Sequence, residues 1–317
     1  MMKRMFNWLV AGIGDITTKR AIPAILAEPR SHLHAVLTRD PAKAAPYGCK
    51  AYTSLEDALA DPVIHAVYVG TPVALHAPQT IAALRAGKHV LCEKPMALNH
   101  ADALAMAAAA HDTGRTLGIA YYRRMYPKVQ RTKRLIEQGA IGKPVYCEAN
   151  NHFWFNDEEG TRTWLLNPAM SGGGPLYDIA SHRIDLFNFF FGSPTRATGF
   201  LANLVHKNAI EDCATAMIEY DSGVRAVIDV RWHSRIHRDQ FRIIGTDGEI
   251  SLDPLNGPEL TYTGGSESLP RHENLHYPCV ENFVDAVLDG KRLYASGDSS
   301  TPVSWVTEEV VKHHRVS

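Results

Sequence analysis

Phe6-Asn7-Trp8-Leu9-Val10-Ala11-Gly12-Ile13-Gly14-Asp15-Ile16-Thr17 is a short apolar run that stops at two closely spaced glycines. The run reads as a buried strand, and the residues after it read as a helix on which Ile22, Ile25 and Leu26 share a face. Strand, glycine turn and helix together open a βαβ unit of the kind that binds a dinucleotide. The first glycine permits the tight turn, and the second lets backbone approach a pyrophosphate resting on the helix N-terminus. Thr17 stands in the place of a third glycine, so the packing of helix on strand is left open. A glycine turn that holds no ligand is the plainer alternative.

Outward from that unit, strands and helices alternate. His34 to Leu37 is the next strand, and its end carries Thr38-Arg39-Asp40, with Lys43 just beyond. A carboxylate here suits the ribose 2′-hydroxyl of NAD, whereas a hydroxyl and a guanidinium suit the 2′-phosphate of NADP. Thr38 and Arg39 favour NADP, and Asp40 keeps NAD open. Solvated loop charges are the third reading of Arg39 and Lys43. A helix from Leu55 to Leu59, a strand from Ile64 to Val69 and the turn Gly70-Thr71-Pro72 lead into an alanine-rich helix closed by Gly87. His76 opens that helix, a place where histidine caps or packs more often than it catalyses. Val90 to Cys92 is a short strand that ends in Glu93-Lys94-Pro95. Ligands of such sheets bind at the strand carboxyl ends, and the proline restricts Lys94, so its ammonium is aimed. A solvated strand-end lysine is the alternative. With a helix from His100 to Asp112 and a strand from Thr116 to Ala120, the first half reads as α/β, a Rossmann doubly wound parallel sheet.

The expected boundary follows Tyr121, giving a dinucleotide-binding domain over 1–121 and a substrate-binding and oligomerisation domain over 122–317. Either Arg123 or Arg124 could face cofactor or substrate, with a solvated interdomain salt bridge expected of at least one. A helix from Lys128 to Gln138 and a strand from Val145 to Asn150 precede a long aromatic segment, Phe153 to Ser171. Its Trp164 is a candidate to stack on a substrate ring, with a lid or an oligomer contact as the alternative. Gly172-Gly173-Gly174-Pro175 then starts a helix in which Asp178, His182 and Asp185 form one stripe and Leu176, Ala180, Ile184, Phe187 and Phe191 another. A histidine one turn beyond a carboxylate suits proton transfer near neutral pH. A capping aspartate and a packed histidine are the alternative, and the ligands are too few for a metal site. Strands follow at Ala197–Leu204, Cys213–Tyr220, Val224–Arg231, Gln240–Ile244 and Glu249–Leu252, joined by turns such as Asp221-Ser222-Gly223. They predict a C-terminal α+β domain with an open, largely antiparallel sheet. Residues 257–270 read as loop, and helices are expected at Val280–Leu288 and Ser304–Lys312.

Composition excludes several function classes. The 317 residues carry 33 basic and 34 acidic side chains, a formal charge of -1, so no global field gathers nucleic acid or an anionic membrane. Five scattered cysteines form no CxxC pair, and sixteen histidines include no HExxH, so a reducing cytoplasm and no metal are expected. The run Trp8 to Val10 reaches Gly12 too soon for a signal peptide.

The pair Gly12/Gly14, the Gly70-Thr71-Pro72 turn with His76, Ala86-Gly87-Lys88-His89-Val90-Leu91-Cys92-Glu93-Lys94-Pro95 and the later glycine-rich helix start resemble the Gfo/Idh/MocA oxidoreductases, the group of glucose-fructose oxidoreductase and inositol dehydrogenase. The resemblance covers nearly the whole chain, most clearly Asn7 to Gly192. It implies hydride transfer between a nicotinamide and a hydroxyl or carbonyl carbon of a sugar, cyclic polyol or related diol. Lys94, Asp178 and His182 fall on the family's catalytic positions, with His182 exchanging the proton. Cofactor contacts are implied for Gly12, Ile13, Gly14, Asp15, Ile16, Thr38, Arg39, Lys43, Thr71, Pro72, His76, Glu93 and Lys94, and substrate contacts for Arg123, Trp164, Asp178 and His182. Thr38-Arg39 is similar to members that use NADP, with NAD still possible. The resemblance also implies a homo-oligomer, dimer or tetramer, built through the C-terminal sheet. Two alternatives stand: an NAD-linked inositol-type or trans-dihydrodiol dehydrogenase, and a non-catalytic dinucleotide- or sugar-sensing regulator.

Overall fold

The apolar runs of the first half are the strands of one parallel sheet. In the computed structural model, which describes residues 5–156, 160 and 162–314, these strands are β1 (Phe6–Ala11), β2 (Ser31–Leu37), β3 (Lys50–Tyr52), β4 (Ala66–Val69), β5 (His89–Cys92) and β6 (Leu117–Ile119). Their order is β3-β2-β1-β4-β5-β6, every pair parallel. All four residues of β4 are buried, and all of β1 except Asn7, the mark of a sheet covered on both faces. Each buried Val, Leu or Ile contributes about 1.5–3 kcal/mol. The order reverses between β1 and β4, and in such sheets the crevice beyond the carboxyl ends at that point takes the ligand.

Around this sheet lie α1 (Ile22–Ala27), α2 (Leu55–Ala60), α3 (His76–Arg85) and α4 (His100–Thr113). Asn99 caps α4 by accepting the Asp102 amide at 2.8 Å, and Gly114 closes it in the left-handed region. Two expectations change here. A π-helical turn, Thr17–Ala21, precedes α1 and shifts the register, so Ala21, Ile22, Ala24 and Ile25 are buried while Leu26 is 58% exposed. The three-residue strand β3 is too short and too polar to stand out in the sequence.

The second half contains α5 (Pro127–Glu137), β7 (Pro144–Trp154), α6 (Pro168–Ser171), α7 (Ser181–Phe191), β8 (Pro194–Ala202), β9 (Cys213–Tyr220), β10 (Arg225–Arg231), β11 (His233–Gly245), β12 (Glu249–Ser251), β13 (Glu259–Tyr262) and β14 (Gly265–Ser268). The eight strands form one sheet, β14-β13-β12-β11-β7-β10-β9-β8, antiparallel except where β10 meets β7. Burial now alternates: Ala226, Ile228 and Val230 of β10 are buried and Val227 and Asp229 are not. The buried face is packed by α7, with Phe187 on Phe241 at 5.2 Å and Phe191 on Tyr220 at 5.8 Å between ring centroids. The expected loop over 257–270 contains β13 and β14, a hairpin whose strands are too short and polar to show a period.

The described residues up to Tyr122 pack together with His272–Thr301 as one compact unit, and Arg123–Arg271 with the described residues from Pro302 as another. A single division after Tyr121 would leave 272–301 with the second half. The segment returns because α8 (Tyr277–Asp289) belongs to the first core: Phe283 packs on Trp8 at 5.4 Å, and Arg30 pairs with Asp285 and Asp289 at 2.6 and 2.8 Å. A last helix, α9, spans Gly297–Lys312. Among the described residues no helix is long and apolar enough to cross a membrane. Residues 1–4 of the basic start, and 157–159 and 161 of the aromatic segment, lie outside the described residues.

Candidate active site

In the first unit, the glycine turn is shaped by contacts that the sequence only half disclosed. Gly12 has φ +89°, and a Cβ there would come within 2.9 Å of the Thr71 methyl. A Cβ on Gly14 would meet no described atom within 4 Å, so the loop leaves open space beside its backbone, as close approach of a pyrophosphate requires. Thr17 is fully buried. Its hydroxyl accepts the Gly14 amide at 2.8 Å and donates to the Gly14 carbonyl at 3.0 Å, and its methyl lies so near Gly70 that a Cβ there would be 2.4 Å away. The close approach expected of a third glycine has moved to Gly70. Ile13 is half-buried, and Ile16 and Asp15 are exposed, Asp15 pairing with Lys19 at 2.5 Å.

At the end of β2, Asp40 is committed to its own chain. Its Oδ1 accepts the Ala42 amide at 3.1 Å as the N-cap of a 3₁₀ turn, and its amide donates to the Thr38 hydroxyl at 3.2 Å. Arg39 and Lys43 are exposed, and Arg39 makes no ion pair with any described residue.

Three residues expected at the cofactor face inward or are engaged locally. His76 is 1% exposed, with Nδ1 2.9 Å from the Pro95 carbonyl and Nε2 2.8 Å from the Thr71 carbonyl, so it ties the β4–α3 turn to the segment after Lys94. Burial lowers its pKa. The Thr71 hydroxyl lies 3.0 Å from the Gln79 side-chain oxygen and donates to it. Glu93 is buried and accepts from the Tyr68 hydroxyl at 2.5 Å, from His276 Nε2 at 2.9 Å and from the Lys94 amide at 3.2 Å. Burial works to raise the Glu93 carboxyl, but His276, Tyr68 and Lys94 outweigh it and hold the pKa at about 2. Lys94 is half-buried, and its peptide bond to Pro95 is cis.

In the second unit, the helix bearing Asp178 and His182 begins with a π-helical turn, Leu176–Ala180, before α7. Gly174 is required there, because a Cβ would lie 2.1 Å from the Glu211 carbonyl oxygen. Glu211 Oε1 in turn accepts the Leu176 amide at 3.1 Å, capping the turn. Arg183, 1% exposed, donates to the Ile179 carbonyl at 3.3 Å and to Asp239 Oδ1 at 2.7 Å. Asp239 also accepts from the Asn256 side chain at 2.6 Å, and Asn256 accepts Arg123 Nε at 3.3 Å. The turn between Asp178 and His182 is therefore pinned from both ends. Asp178 is half-buried and His182 is 4% exposed.

One expectation, the solvated interdomain salt bridge at Arg123 or Arg124, is corrected by the Arg124 pair. Asp185, the last member of the polar stripe, is fully enclosed and holds Arg124 through bonds of 2.6 and 2.9 Å. That pair is buried and internal to its unit rather than solvated between domains. Arg123 is 8% exposed and engaged with Asn256, and Trp164 packs on a core of Phe155, Leu165, Ile210 and Trp232. Asp212, Cys213 and His233 bring ligand atoms within 4.8 Å of one another, but the Asp212 carboxylate already accepts the Leu204, Val205 and His206 amides and His233 Nδ1. Burial raises its pKa, and those amides carry it far below the usual range. It anchors the loop.

Residues 6–121 match the model of the oxidoreductase family with an NAD-binding Rossmann fold, and residues 129–251 match the GFO/IDH/MocA C-terminal domain. A 1,5-anhydro-D-fructose reductase of Ensifer adhaerens is 30% identical over 93% of this chain and 92% of its own. The chain belongs to the Gfo/Idh/MocA oxidoreductases. Within this family, a D-xylose 1-dehydrogenase (NADP(+)) of Haloferax volcanii is 29% identical over 80% of this chain and 79% of its own. The aldose-aldose oxidoreductase of Caulobacter crescentus, solved with glycerol, superposes with a TM-score of 0.87 at 26% identity, over 98% of this chain and 97% of that one. This Gfo/Idh/MocA chain is an oxidoreductase enzyme with an NAD(P)-dependent fold, of a family whose members act on sugars and polyols.

Neither Glu211, Asp239 nor His276 stands out in the sequence. Each acts on a residue far away in the chain, and only the Gly-rich helix start hints that something must press close against it.

Proposed function

We propose that this enzyme is NADP-preferring and moves a hydride between the nicotinamide and a hydroxyl-bearing carbon of a sugar, cyclic polyol or related diol. The observation that carries the reading is that Lys94, Asp178 and His182 are all present, each on the position that its family motif assigns. When bound, the dinucleotide supplies or accepts the hydride. Lys94 hydrogen-bonds the reacting oxygen and stabilises its alkoxide character, His182 exchanges the proton, and Asp178 orients His182 or holds a neighbouring hydroxyl. Gly12, Ile13, Gly14, Asp15 and Ile16 form the pyrophosphate loop, with Thr71 and Pro72 beside it. A panel of sugars and polyols, followed by nicotinamide absorbance with each cofactor, tests the reading. Dinucleotide binding without turnover on any of them would favour a sensor. A cytoplasmic location is part of the same proposal, since a reducing compartment suits five cysteines that form no disulfide.

The preference for NADP is supported at the end of β2, where one oxygen of Asp40 is occupied by the Ala42 amide and Arg39 is exposed beside Thr38. Arg39→Ala is expected to weaken NADP by about 1.5–3 kcal/mol, roughly 10- to 150-fold, with little effect on NAD. Titration of each dinucleotide measures this, and equal losses for both would remove the preference.

The enzyme is also proposed to be a dimer or tetramer through the second sheet. Behind the face covered by α7, the other face exposes Met217 (47%) and Phe200 (63%) on adjacent strands. Light scattering at micromolar concentration is expected to give a dimer or larger, and a clean monomer would contradict it.

A further inference from the structure

His276 reaches Glu93 from a segment that follows nearly the whole second unit in sequence, and its contacts are narrow. The ring is 1% exposed and lies on Tyr122 with centroids 4.9 Å apart. Its Nε2 sits 2.9 Å from Glu93 Oε1, while its Nδ1 has no hydrogen-bond partner among the described residues. The polar influence of the ring therefore passes through Glu93 alone. Glu93 in turn touches the backbone of Lys94 directly, because Oε2 accepts the Lys94 amide at 3.2 Å. The other side of the same segment is held by His76 on the Pro95 carbonyl. His276 is itself fixed: its amide donates to Asn274 Oδ1 at 3.0 Å, and Asn274 Nδ2 donates to the Arg20 carbonyl at 3.0 Å in the π turn that follows the glycine loop. One short stretch, 274–276, thus anchors to the glycine-loop helix and to the end of β5.

A buried pair of this kind adds little stability over apolar residues of the same volume. What an apolar replacement cannot do is accept the Lys94 amide and the Tyr68 hydroxyl together. We propose that His276 is a positioning residue for Lys94, acting through the Glu93 carboxylate. The proposal rests on the reading of Lys94 as the residue that holds the reacting oxygen. Without the His276 donor, Glu93 loses its largest stabilising partner and keeps a neutral hydroxyl, one amide and the attraction of Lys94, so its carboxylate is held less firmly, takes up a proton or turns away, and the end of β5 shifts. Misplacement of about an ångström is enough to lower a rate on the order of a hundredfold.

His276→Phe keeps the ring contact with Tyr122 and removes the donor. Turnover is expected to fall by about tenfold or more, with KM for the dinucleotide within about threefold of wild type. His276→Gln, which restores an N–H donor, is expected to recover most of the loss. Glu93→Gln combined with His276→Phe is expected to be no worse than the poorer single variant, because the two act as one unit. A reading without cofactor accompanies these: the rate at which acetic anhydride acylates Lys94, followed by mass spectrometry, is expected to change by about threefold or more in His276→Phe. If His276→Phe folds poorly, Glu93→Gln provides the same two measurements. Wild-type turnover in His276→Phe alongside an inactive Lys94→Met overturns the proposal, as do multiplicative losses in the double variant or an unchanged Lys94 acylation rate. An active Lys94→Met would instead remove the role of Lys94 itself, and the proposal with it, an outcome seen in that variant alone.

Discussion

Lys94→Met and His182→Asn are each expected to lower hydride transfer by about 10²- to 10⁴-fold while leaving thermal melting close to wild type, and His182→Asn also leaves dinucleotide affinity little changed. Methionine keeps the apolar stem of Lys94 and deletes the donor, so the surroundings of the half-buried stem change little. Asparagine fills much of the His182 volume but has no base that titrates near neutral pH. Single-turnover measurement with an active substrate separates chemistry from product release. If both variants transfer hydride within a few-fold of wild type, the catalytic assignment fails, whatever their effect on KM.

The other large effect is expected in stability. Asp185→Asn removes the carboxylate charge that faces the Arg124 guanidinium at a position where both side chains are nearly inaccessible, 3% and 1% exposed. Removal of one member of such a pair costs about 3–5 kcal/mol, which for a unit of this size lowers the melting temperature by about 6–20 °C. Arg124→Met with Asp185→Leu removes both charges and is expected to melt near wild type, because desolvation of the pair offsets most of its attraction. Differential scanning calorimetry of the single and the double variant beside wild type decides it. A loss of less than about 1 kcal/mol in Asp185→Asn would show that water reaches the pair.

The parts legible in the sequence are those coded by neighbours in the chain. The strand and glycine turn at Phe6–Gly14, and the run that ends in Glu93-Lys94-Pro95, carry their fold signal within a dozen residues. The π turns are not legible, since periodicity assumes 3.6 residues per turn; this puts Leu26 on the buried face, whereas it is 58% exposed. Short polar strands such as β3, β13 and β14 have too few positions to show alternation. The supports of the candidate site are hidden for a different reason. Glu211 caps Leu176, Asp239 holds Arg183 and His276 holds Glu93 across separations of 35, 56 and 183 residues, and nothing local distinguishes those side chains from surface charges.

The return of His272–Thr301 to the first unit has a consequence for how the protein is made. On the ribosome, the parallel sheet is synthesised with Trp8 and Glu93 still lacking Phe283 and His276, which arrive only after Arg123–Arg271. At roughly 5–20 residues per second, the ~150 residues in between take on the order of ten seconds. For that interval an apolar sheet face and a carboxylate without its histidine are exposed to water or to a chaperone. A nascent chain halted before Tyr277 should therefore be protease-sensitive in its N-terminal third and become resistant once α8 has emerged, and the order of synthesis, not local stability, would set when a dinucleotide can first be held.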